Sequence, residues 1–380
     1  MSSINKVLFS VWLLLIGVFI FVVVSAPKED NLPIISYAME QGRDAGKESP
    51  PIEEPVIEEI IIPKETVSLA MIGDVLLHYR LATYKDFGPS FAPVAPFMQR
   101  HDYLLANQES LPVGNKYALS GYPQFSSPDY ILEDLQEAGV DMINIANNHT
   151  VDKGEGGVRT LFENIDRYGI PYVGAYKSAE DASTPRIIEQ KGIKIGVVSY
   201  TYGTNGLYLP KNSPFVINYI QEEKMTADIA AMKALADVTV VLIHWGPEYK
   251  TVENDNQRYL ANVLNAAGAD IVFGTHPHIL QPYNKLTSES GQETHVFYSI
   301  GNYFSTIITM PDTMIGGIAS FAITKEGDEV TIGQPQFKAT SMLLDDDGVY
   351  RVYPLAETEK RSVRDLAWVQ RILGTEVEVK

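Results

Sequence analysis

The stretch Phe273-Gly274-Thr275-His276-Pro277-His278 places two imidazoles two positions apart, directly after the apolar run Ile271-Val272-Phe273. In an extended backbone, side chains at i and i+2 point to the same side, so the pattern predicts two ligands aimed together from a strand end. Pro277 disfavours a helix here because it lacks a backbone N–H, and we expect Gly274 to let the backbone leave the strand sharply. Such a pair is typical of a divalent metal site, although a loop with two histidines by chance fits it too.

Composition limits the possible functions. The chain has 380 residues, enough for one large or two ordinary domains, and 45% of them are hydrophobic, which supports a sizeable core. There is no cysteine, which excludes disulfides, thiolate chemistry and lipid attachment through a cysteine. The formal net charge of −18 argues against nucleic-acid binding, because that affinity comes mainly from Lys and Arg. The same charge repels polyanions unless a bound metal or a local basic groove reverses its sign.

The amino-terminal segment is strongly apolar. Residues 7–26 contain no charged side chain, and as a helix they would span roughly 30 Å, the thickness of the hydrocarbon core. We predict that residues 1–26 form a cytoplasmic N-terminus and a transmembrane anchor, with the main domain outside the cell membrane. The alternative is a signal peptide cleaved after Val24-Ser25-Ala26. The length of the apolar run and Pro27 just after that point favour the anchor.

The rest of the chain divides into three predicted parts. Residues 27–66 hold six prolines and ten acidic residues against four basic ones, the composition of an extended, solvated linker. Residues 67–360 are predicted to form the main domain, and residues 361–380 a C-terminal helix and tail.

Within the main domain, short apolar strands alternate with amphipathic helices, which predicts an α/β fold. The predicted strands of this part are Val67–Ile72, Tyr103–Ala106, Met142–Ala146, Pro171–Val173, Lys194–Ser199, Val238–Ile243, Ile271–Phe273 and His295–Ser299. The predicted helices are Pro128–Glu137, Glu155–Tyr168, Glu222–Ala236 and Asn256–Ala267. After Gly301 we expect antiparallel strands at Gly317–Thr324, Glu329–Pro335 and Val349–Tyr353, and a closing helix at Val363–Leu373.

Polar side chains recur where five of the predicted strands end. In open α/β sheets, ligands gather at the carboxyl ends of the strands, so we expect these side chains to converge. Oxygen and nitrogen donors without sulfur suit Mn, Fe, Zn or Mg. The candidate residues are Asp74, Glu109, Asn148, His149, His244, His276 and His278.

Each candidate also has a plainer interpretation. Asp74 fits a helix cap or turn, and Glu109 fits a solvated loop acid. Asn148 fits a turn, and His244 fits a hydrogen-bonded core histidine. Recurrence at five strand ends favours a metal centre over five separate coincidences.

The remaining histidines outside these strand ends, His78, His101 and His295, lack such a setting, and we interpret them as structural.

Six motifs follow one another in a fixed order along residues 67–310. They are Gly73-Asp74, Asn107-Gln108-Glu109, Asn147-Asn148-His149-Thr150-Val151-Asp152-Lys153-Gly154, His244-Trp245-Gly246-Pro247-Glu248-Tyr249, Gly274-Thr275-His276-Pro277-His278 and Tyr298-Ser299-Ile300-Gly301-Asn302-Tyr303. Together they resemble the CapA/PgsA family, the membrane-anchored components of poly-γ-glutamate capsule synthesis. The predicted anchor matches the plan of that family.

This family is similar to the calcineurin-like metallophosphoesterases. The resemblance implies a four-layer α/β/β/α sandwich and a two-metal site that clamps a phosphate and activates water. It also implies that His149 stands beside the metals as a general acid or as a donor to developing charge. By motif, the first metal would be bound by Asp74 and His278, the second by Asn148, His244 and His276, and both by the bridging Glu109.

The chain departs from the phosphoesterase pattern at two positions. Leu76 stands where those enzymes have a histidine two positions after the first aspartate, and Glu109 stands where they usually have an aspartate. The first metal site is therefore short of one ligand, which leaves hydrolytic activity open. His78 could compensate only if a helical turn begins there.

Three functional hypotheses follow. The first is a membrane-anchored CapA-type component of poly-γ-glutamate production or export, whose extracellular domain binds or processes the polymer. The second is a surface metal-dependent phosphoesterase or related hydrolase, and the third is a non-catalytic scaffold of a membrane synthase. The implied partners are the bilayer and either the polymer or the synthase subunits, with no nucleic acid.

Overall fold

The computed structural model describes residues 64–380. The predicted anchor and most of the predicted linker, residues 1–63, lie outside the described residues. Within residues 64–380, no helix is both long enough and apolar enough to cross a membrane.

The described chain is a mixture of strands and helices, which confirms the predicted α/β class. The strands, numbered along the chain, are β1 Lys64–Leu76, β2 Tyr103–Gln108, β3 Met142–Asn144, β4 Tyr172–Val173, β5 Ala175–Tyr176, β6 Arg186–Gln190, β7 Ile193–Thr201, β8 Val216–Ile217, β9 Val238–His244, β10 Ile271–Thr275, β11 Leu280–Thr287, β12 Glu293–Ile300, β13 Asn302–Ser305, β14 Ile315–Glu326, β15 Glu329–Ile332, β16 Gln336–Leu344, β17 Tyr350–Pro354 and β18 Glu378–Val379. The α-helices are Tyr79–Ala82, Gly88–Phe91, Ala95–Met98, Ile131–Ala138, Gly154–Tyr168, Ala179–Ser183, Glu222–Lys233, Asp255–Ala267, Leu355–Thr358 and Leu366–Leu373, and Pro311–Met314 is a 3₁₀ turn.

The strands form two large sheets and one small pair. The first sheet has the order β17-β16-β14-β1-β2-β3-β4, with β13, β15 and β18 joined to it, and the second has the order β11-β12-β10-β9-β7-β6. In the first sheet β1, β2, β3 and β4 run parallel, and in the second β7, β9, β10 and β12 run parallel. Strands β5 and β8 form a separate antiparallel pair.

The main core lies between the two large sheets. Leu69 of β1 and Leu105 of β2 belong to one buried cluster with Val240 of β9 and Phe273 of β10. Alternate residues of β1 face the other way, because successive side chains on a strand point to opposite faces. Ala70 and Ile72 of β1 accordingly join a second cluster.

Helices cover the outer faces of both sheets. The second cluster includes buried residues of the helices Ile131–Ala138 and Gly154–Tyr168. A third cluster joins the outer face of the second sheet to the helices Glu222–Lys233 and Asp255–Ala267. The order of the layers is therefore helices, sheet, sheet, helices.

The predicted elements are present, with ends that differ by a few residues, but several strands were missed. Strands β6, β11 and β16 were not predicted. β6 and β11 are edge strands, and polar residues such as Asn284 and Lys285 interrupt the apolar pattern of β11. An edge strand exposes part of its surface and so shows a weaker hydrophobic signal than a central one.

The ends of the described chain join the same sandwich. Strand β1 already begins at Lys64, inside the predicted linker. Val369 and Leu373 of the last helix are buried in the cluster between the sheets, and β18 pairs with β16. Residues 366–379 therefore pack onto the core of the main domain.

Aromatic packing between the sheets gives a test of the fold. The Phe321 ring of β14 lies 5.8 Å from the ring of Phe297 and 6.0 Å from that of Phe273, measured between centroids. We expect Phe321→Ala to lower the free energy of unfolding by about 3–5 kcal/mol, because it leaves a cavity in this core. Urea unfolding measures the change. Val363→Ala, at a position 45% exposed, is the control and should change it by less than about 0.5 kcal/mol.

Candidate metal centre

Side chains from both large sheets meet in one buried hollow. Three overlapping groups each bring one potential ligand atom per residue within 4.8 Å of one another. These groups are Asp74 with Glu109 and His278, Glu109 with His244 and His276, and Glu248 with His276 and His278. The amide oxygen of Asn148 lies 2.9 Å from Nε2 of His244. All six residues predicted as metal ligands are therefore brought together, and Glu248 joins them.

Glu109 occupies the centre of this hollow. The residue is 1% exposed, and neither carboxylate oxygen has a hydrogen-bond partner among the described residues. Two imidazole nitrogens approach its Oε1, from His244 at 3.5 Å and from His278 at 3.8 Å, too far for ordinary hydrogen bonds. Burial alone would raise the pKa of Glu109, but His278 and His244 hold it below its ordinary value. A buried carboxylate without hydrogen bonds is what a cation-binding site requires, so these residues fit a divalent metal.

The imidazole of His276 has the properties expected of a metal ligand. Its Nδ1 is buried and has no hydrogen-bond partner within residues 64–380. Burial, together with the neighbouring His244 and His278, lowers the pKa of His276 well below its ordinary value. The ring is therefore neutral at neutral pH, which is the form that binds a metal.

A buried chain of amides holds Asp74 in place. Nδ2 of Asn107 donates to Oδ1 of Asp74 at 2.7 Å, and Oδ1 of Asn107 accepts from Nδ2 of Asn144 at 2.9 Å. Oδ1 of Asn144 in turn accepts from the Ser199 hydroxyl of the second sheet at 2.6 Å. This relay crosses from one sheet to the other and fixes the orientation of the carboxylate, as partners outside the ligand set commonly do at metal sites.

Two histidines are oriented by similar contacts. Nδ1 of His244 lies 2.9 Å from Oγ1 of Thr275, which leaves Nε2 facing the hollow. Nδ1 of His278 lies 3.1 Å from Asp74 and 3.0 Å from the amide oxygen of Asn302. Burial lowers the pKa of His278, but Glu109 and Asp74 outweigh it and raise the pKa to about 9.

The reason expected for the convergence of His276 and His278 is wrong. Their backbones are not extended, since both residues have positive φ, +94° and +61°, after β10 ends at Thr275. Such φ values are costly for residues other than glycine and are typical of functional sites. Gly274 does not turn the chain either. It is glycine because a Cβ there would lie 2.0 Å from the carbonyl oxygen of Tyr298.

A histidine and an aspartate form a pair at the edge of the hollow. Nδ1 of His149 lies 2.8 Å from Oδ2 of Asp152, which also accepts from the backbone N–H of Phe125 at 2.6 Å. The Phe125 ring packs edge-on against the imidazole, with centroids 4.6 Å apart. With Nδ1 engaged by the carboxylate, Nε2 is the nitrogen available to exchange a proton with a ligand.

The sequence analysis assigned no role to Asp152 or Glu248, although both lie inside its motifs. Asp152 follows His149 by three positions and Glu248 follows His244 by four, so each could have been found as a carboxylate at short range from a candidate histidine.

The other histidines of the described chain lie outside the three ligand groups. His101 contacts the Ser68 hydroxyl at 2.8 Å and His295 contacts the Tyr283 hydroxyl at 2.7 Å. A helical turn does begin directly after His78, and this residue lines the cleft beside Leu76, but it joins none of the groups.

A cleft of about 380 Å³ opens onto the candidate metal centre. His78, Asn148, His149 and His278 line it, together with the carboxylates Asp152 and Glu248 and the rings of Tyr122, Phe125 and Tyr249. No lysine or arginine of the described chain lines it. Without a bound cation, the cleft offers an anionic ligand no lysine or arginine of the described chain, and the carboxylates of Asp152 and Glu248 would repel it.

Comparison with known proteins identifies the family. The profile described as "Bacterial capsule synthesis protein PGA_cap" matches residues 68–306. The chain belongs to this family. The match confirms the resemblance that was drawn from the six motifs.

Curated members of the capsule synthesis family show the same similarity. The chain is 30% identical over 251 residues to "PGA biosynthesis protein CapA" of Bacillus subtilis (strain 168), a region that covers 63% of each chain. It is 26% identical over 251 residues to "Capsule biosynthesis protein CapA" of Bacillus anthracis, covering 63% of this chain and 60% of that one. The similarity thus spans less than two thirds of the length of these relatives.

Solved structures similar to this family member include two proteins of Thermus thermophilus. The 5′-nucleotidase precursor of that organism matches with a TM-score of 0.45 and 12% identity, over 72% of this chain and 54% of that one. Its sulfate thiohydrolase SoxB matches with a TM-score of 0.39 and 13% identity, over 71% and 42%.

Protonation of His278 gives a test of the centre. Because its pKa is raised to about 9, this imidazole carries a proton at pH 7 that a metal must displace. We expect about one proton to be released when the centre fills, and the affinity to rise about tenfold per pH unit between pH 6.5 and 8.5. Calorimetric titration with Mn²⁺ in buffers of different ionisation enthalpy measures the release. His278→Gln should abolish it and His101→Ala should not. Release unchanged in His278→Gln would contradict the assignment.

Proposed function

We propose that this chain acts in the biosynthesis or export of the poly-γ-glutamate capsule and that its divalent metal centre binds the carboxylates of the polymer. The family and the names of the two Bacillus relatives support the pathway. The observation that carries the role of the metal is the buried carboxylate of Glu109, which has no hydrogen-bond partner among the described residues and lies 3.8 Å from His278, a residue of the cleft. No lysine or arginine of the described chain lines that cleft.

Electrostatics explains why such a protein would need a metal. The polymer is a polyanion and the chain has a formal net charge of −18, so the two repel each other at long range. The cleft adds the carboxylates of Asp152 and Glu248 to this repulsion. Divalent ions bound there would supply positive charge at short range, where screening by salt is weakest.

The described residues supply a set of donors for such a centre. Asp74 and His278 would hold one ion, His244, His276 and Asn148 would hold the other, and Glu109 lies between the two sets. These oxygen and nitrogen donors suit Mn, Fe, Zn or Mg. When bound, the ions would neutralise anionic oxygens of a ligand and lower the pKa of water. The ligand set and the order of the layers support a relationship to the metallophosphoesterases.

We further propose that residues 7–26 anchor the chain in the cell membrane, with the metal centre on the outer side. The uncharged run of these residues and the acidic, proline-rich segment that follows it support this location. The partners would then be the bilayer, the emerging polymer and the subunits of the membrane synthase.

Hydrolysis is a second candidate function, favoured by the His149–Asp152 pair. His149 lines the same cleft as His278, and Asp152 holds its ring in one orientation. In hydrolysis of a phosphoester, water would form the new P–O bond while the bond to the leaving group breaks. In this proposal Nε2 of His149 would donate a proton to the leaving oxygen, and the attacking water would lose its proton to solvent.

Polymer binding tests the first proposal. Full-length protein in detergent micelles should bind labelled poly-γ-glutamate in the presence of Mn²⁺, and chelation should weaken binding at least about tenfold because the attracting charge is removed. Fluorescence anisotropy measures the affinity.

Because the polymer itself binds divalent ions, the decisive comparison is between variants at constant Mn²⁺. His244→Ala should bind the polymer more weakly than the wild type because the binding of one ion is weakened, and His101→Ala, which changes a histidine outside the centre, should bind normally. Equal polymer binding by the two variants would show that the metal centre does not bind the polymer.

Turnover tests the second candidate. With Mn²⁺ or Zn²⁺ and phosphomonoester or phosphodiester substrates, His149→Ala should lower kcat by about 10²–10⁴-fold, because general acid catalysis is lost. Asp152→Asn should also lower it, and Asp166→Asn, on an exposed helix surface, should not. Absence of metal-dependent turnover in the wild type would leave a binding or scaffolding role.

A further inference from the structure

Glu248 lies on a loop that is hydrogen-bonded to the turn formed by residues 275–278, called here the histidine turn. This loop follows β9, and its backbone N–H groups at Trp245 and Tyr249 donate to the carbonyl oxygens of Thr275 and Pro277 at 3.1 and 2.9 Å. The second hydrogen bond involves the residue directly after Glu248. The backbone thus holds the carboxylate next to His276 and His278, although the residue itself is exposed to solvent.

The carboxylate of Glu248 is within reach of two ligands of the centre. One of its oxygens and one nitrogen from each of His276 and His278 all lie within 4.8 Å of one another. His276 is 4% exposed, and its Nδ1 has no hydrogen-bond partner among the described residues. The group of Glu248, His276 and His278 therefore shares one histidine with each of the other two groups and is not a separate site on the surface.

The resemblance to the phosphoesterases implies a ligand of the first metal at position 76, where this chain has leucine. Among the described histidines and acidic residues, the group at this position has three donors, Asp74, Glu109 and His278, whereas zinc usually takes four ligands and magnesium or manganese about six. Leu76 is 2% exposed and its aliphatic side chain can donate nothing. Glu248, Leu76 and His278 line the same cleft, and the carboxylate is grouped with His278, a ligand assigned to the first metal.

We propose that Glu248 is a ligand of the first metal and supplies the donor that Leu76 cannot. This inference rests on the metal centre of the proposed function. Two divalent ions held by the carboxylates of Asp74, Glu109 and Glu248 keep an excess of positive charge, so the centre still attracts an anion. In place of the imidazole that the phosphoesterase pattern has two positions after the first aspartate, this chain would use the carboxylate of Glu248 on the loop after β9.

Metal binding, measured without any substrate, tests the assignment. Full-length protein is stripped of metal and titrated with Mn²⁺ by calorimetry, and the bound ions are followed by electron paramagnetic resonance. We expect two ions per chain in the wild type, with spectral coupling between them. Glu248→Gln should lower the affinity for one ion at least about tenfold, leave the affinity for the other unchanged and remove the spectral coupling between the two ions.

Two variants make the comparison specific. Glu289→Gln removes the same charge from an exposed loop and should bind both ions as the wild type does. His244→Ala should lower the affinity for the other ion and leave the affinity for the ion that depends on Glu248 unchanged. Thermal melting of the metal-free variants reports whether each one is folded.

The outcomes separate the two proposals. Two ions bound by Glu248→Gln with wild-type affinity, or both ions weakened equally, would overturn the assignment of Glu248 while leaving the metal centre in place. A wild type that binds no Mn²⁺ or Zn²⁺ would overturn the proposed function itself.

Discussion

The structure around the cleft depends on the burial of Asp74 and Glu109 beside three imidazoles. Burying ionised carboxylates is costly unless opposite charge or hydrogen bonds compensate. Asp74 receives hydrogen bonds from Asn107 and the histidine turn, whereas Glu109 receives none within the described chain. The Glu109 carboxylate is therefore compensated only by nearby imidazoles within the described chain, an arrangement that fits a site for a divalent cation. The amide relay, the hydrogen bonds between the loops and the left-handed backbone at His276 and His278 hold these side chains in position.

The two-sheet architecture makes this arrangement possible. Asp74 and Glu109 come from strand ends of the first sheet, whereas His244 and His276 come from strand ends of the second. Packing the sheets face to face brings the carboxyl ends of their parallel strands together, and the relay from Asp74 to Ser199 joins the two sheets by hydrogen bonds. The relative positions of the candidate ligands therefore depend on how the two sheets pack.

Prediction from the sequence succeeded for the strands and helices that have a clear hydrophobic pattern. The central strands and the longer helices have clear periodicity, and the predicted ligands lie at or just beyond the ends of such strands. The edge strands β6 and β11 and the short helices were missed, because partial exposure and short length weaken the pattern. Glu248 was not predicted because it is an exposed loop acid, and the hydrogen bonds that hold its loop beside His276 and His278 join segments distant in sequence.

By itself, the sequence determined the α/β class, the family and the identity of six candidate ligands, since motifs and periodicity are local properties of the chain. Only the tertiary structure decided that these ligands share one hollow, that Glu109 lies there without hydrogen bonds from the described residues, and that Glu248 lines the same cleft as Leu76. It also replaced the expected extended backbone at His276 and His278 with a left-handed one. The physical reason is that contacts between loops of different sheets depend on packing distances, which no local pattern encodes.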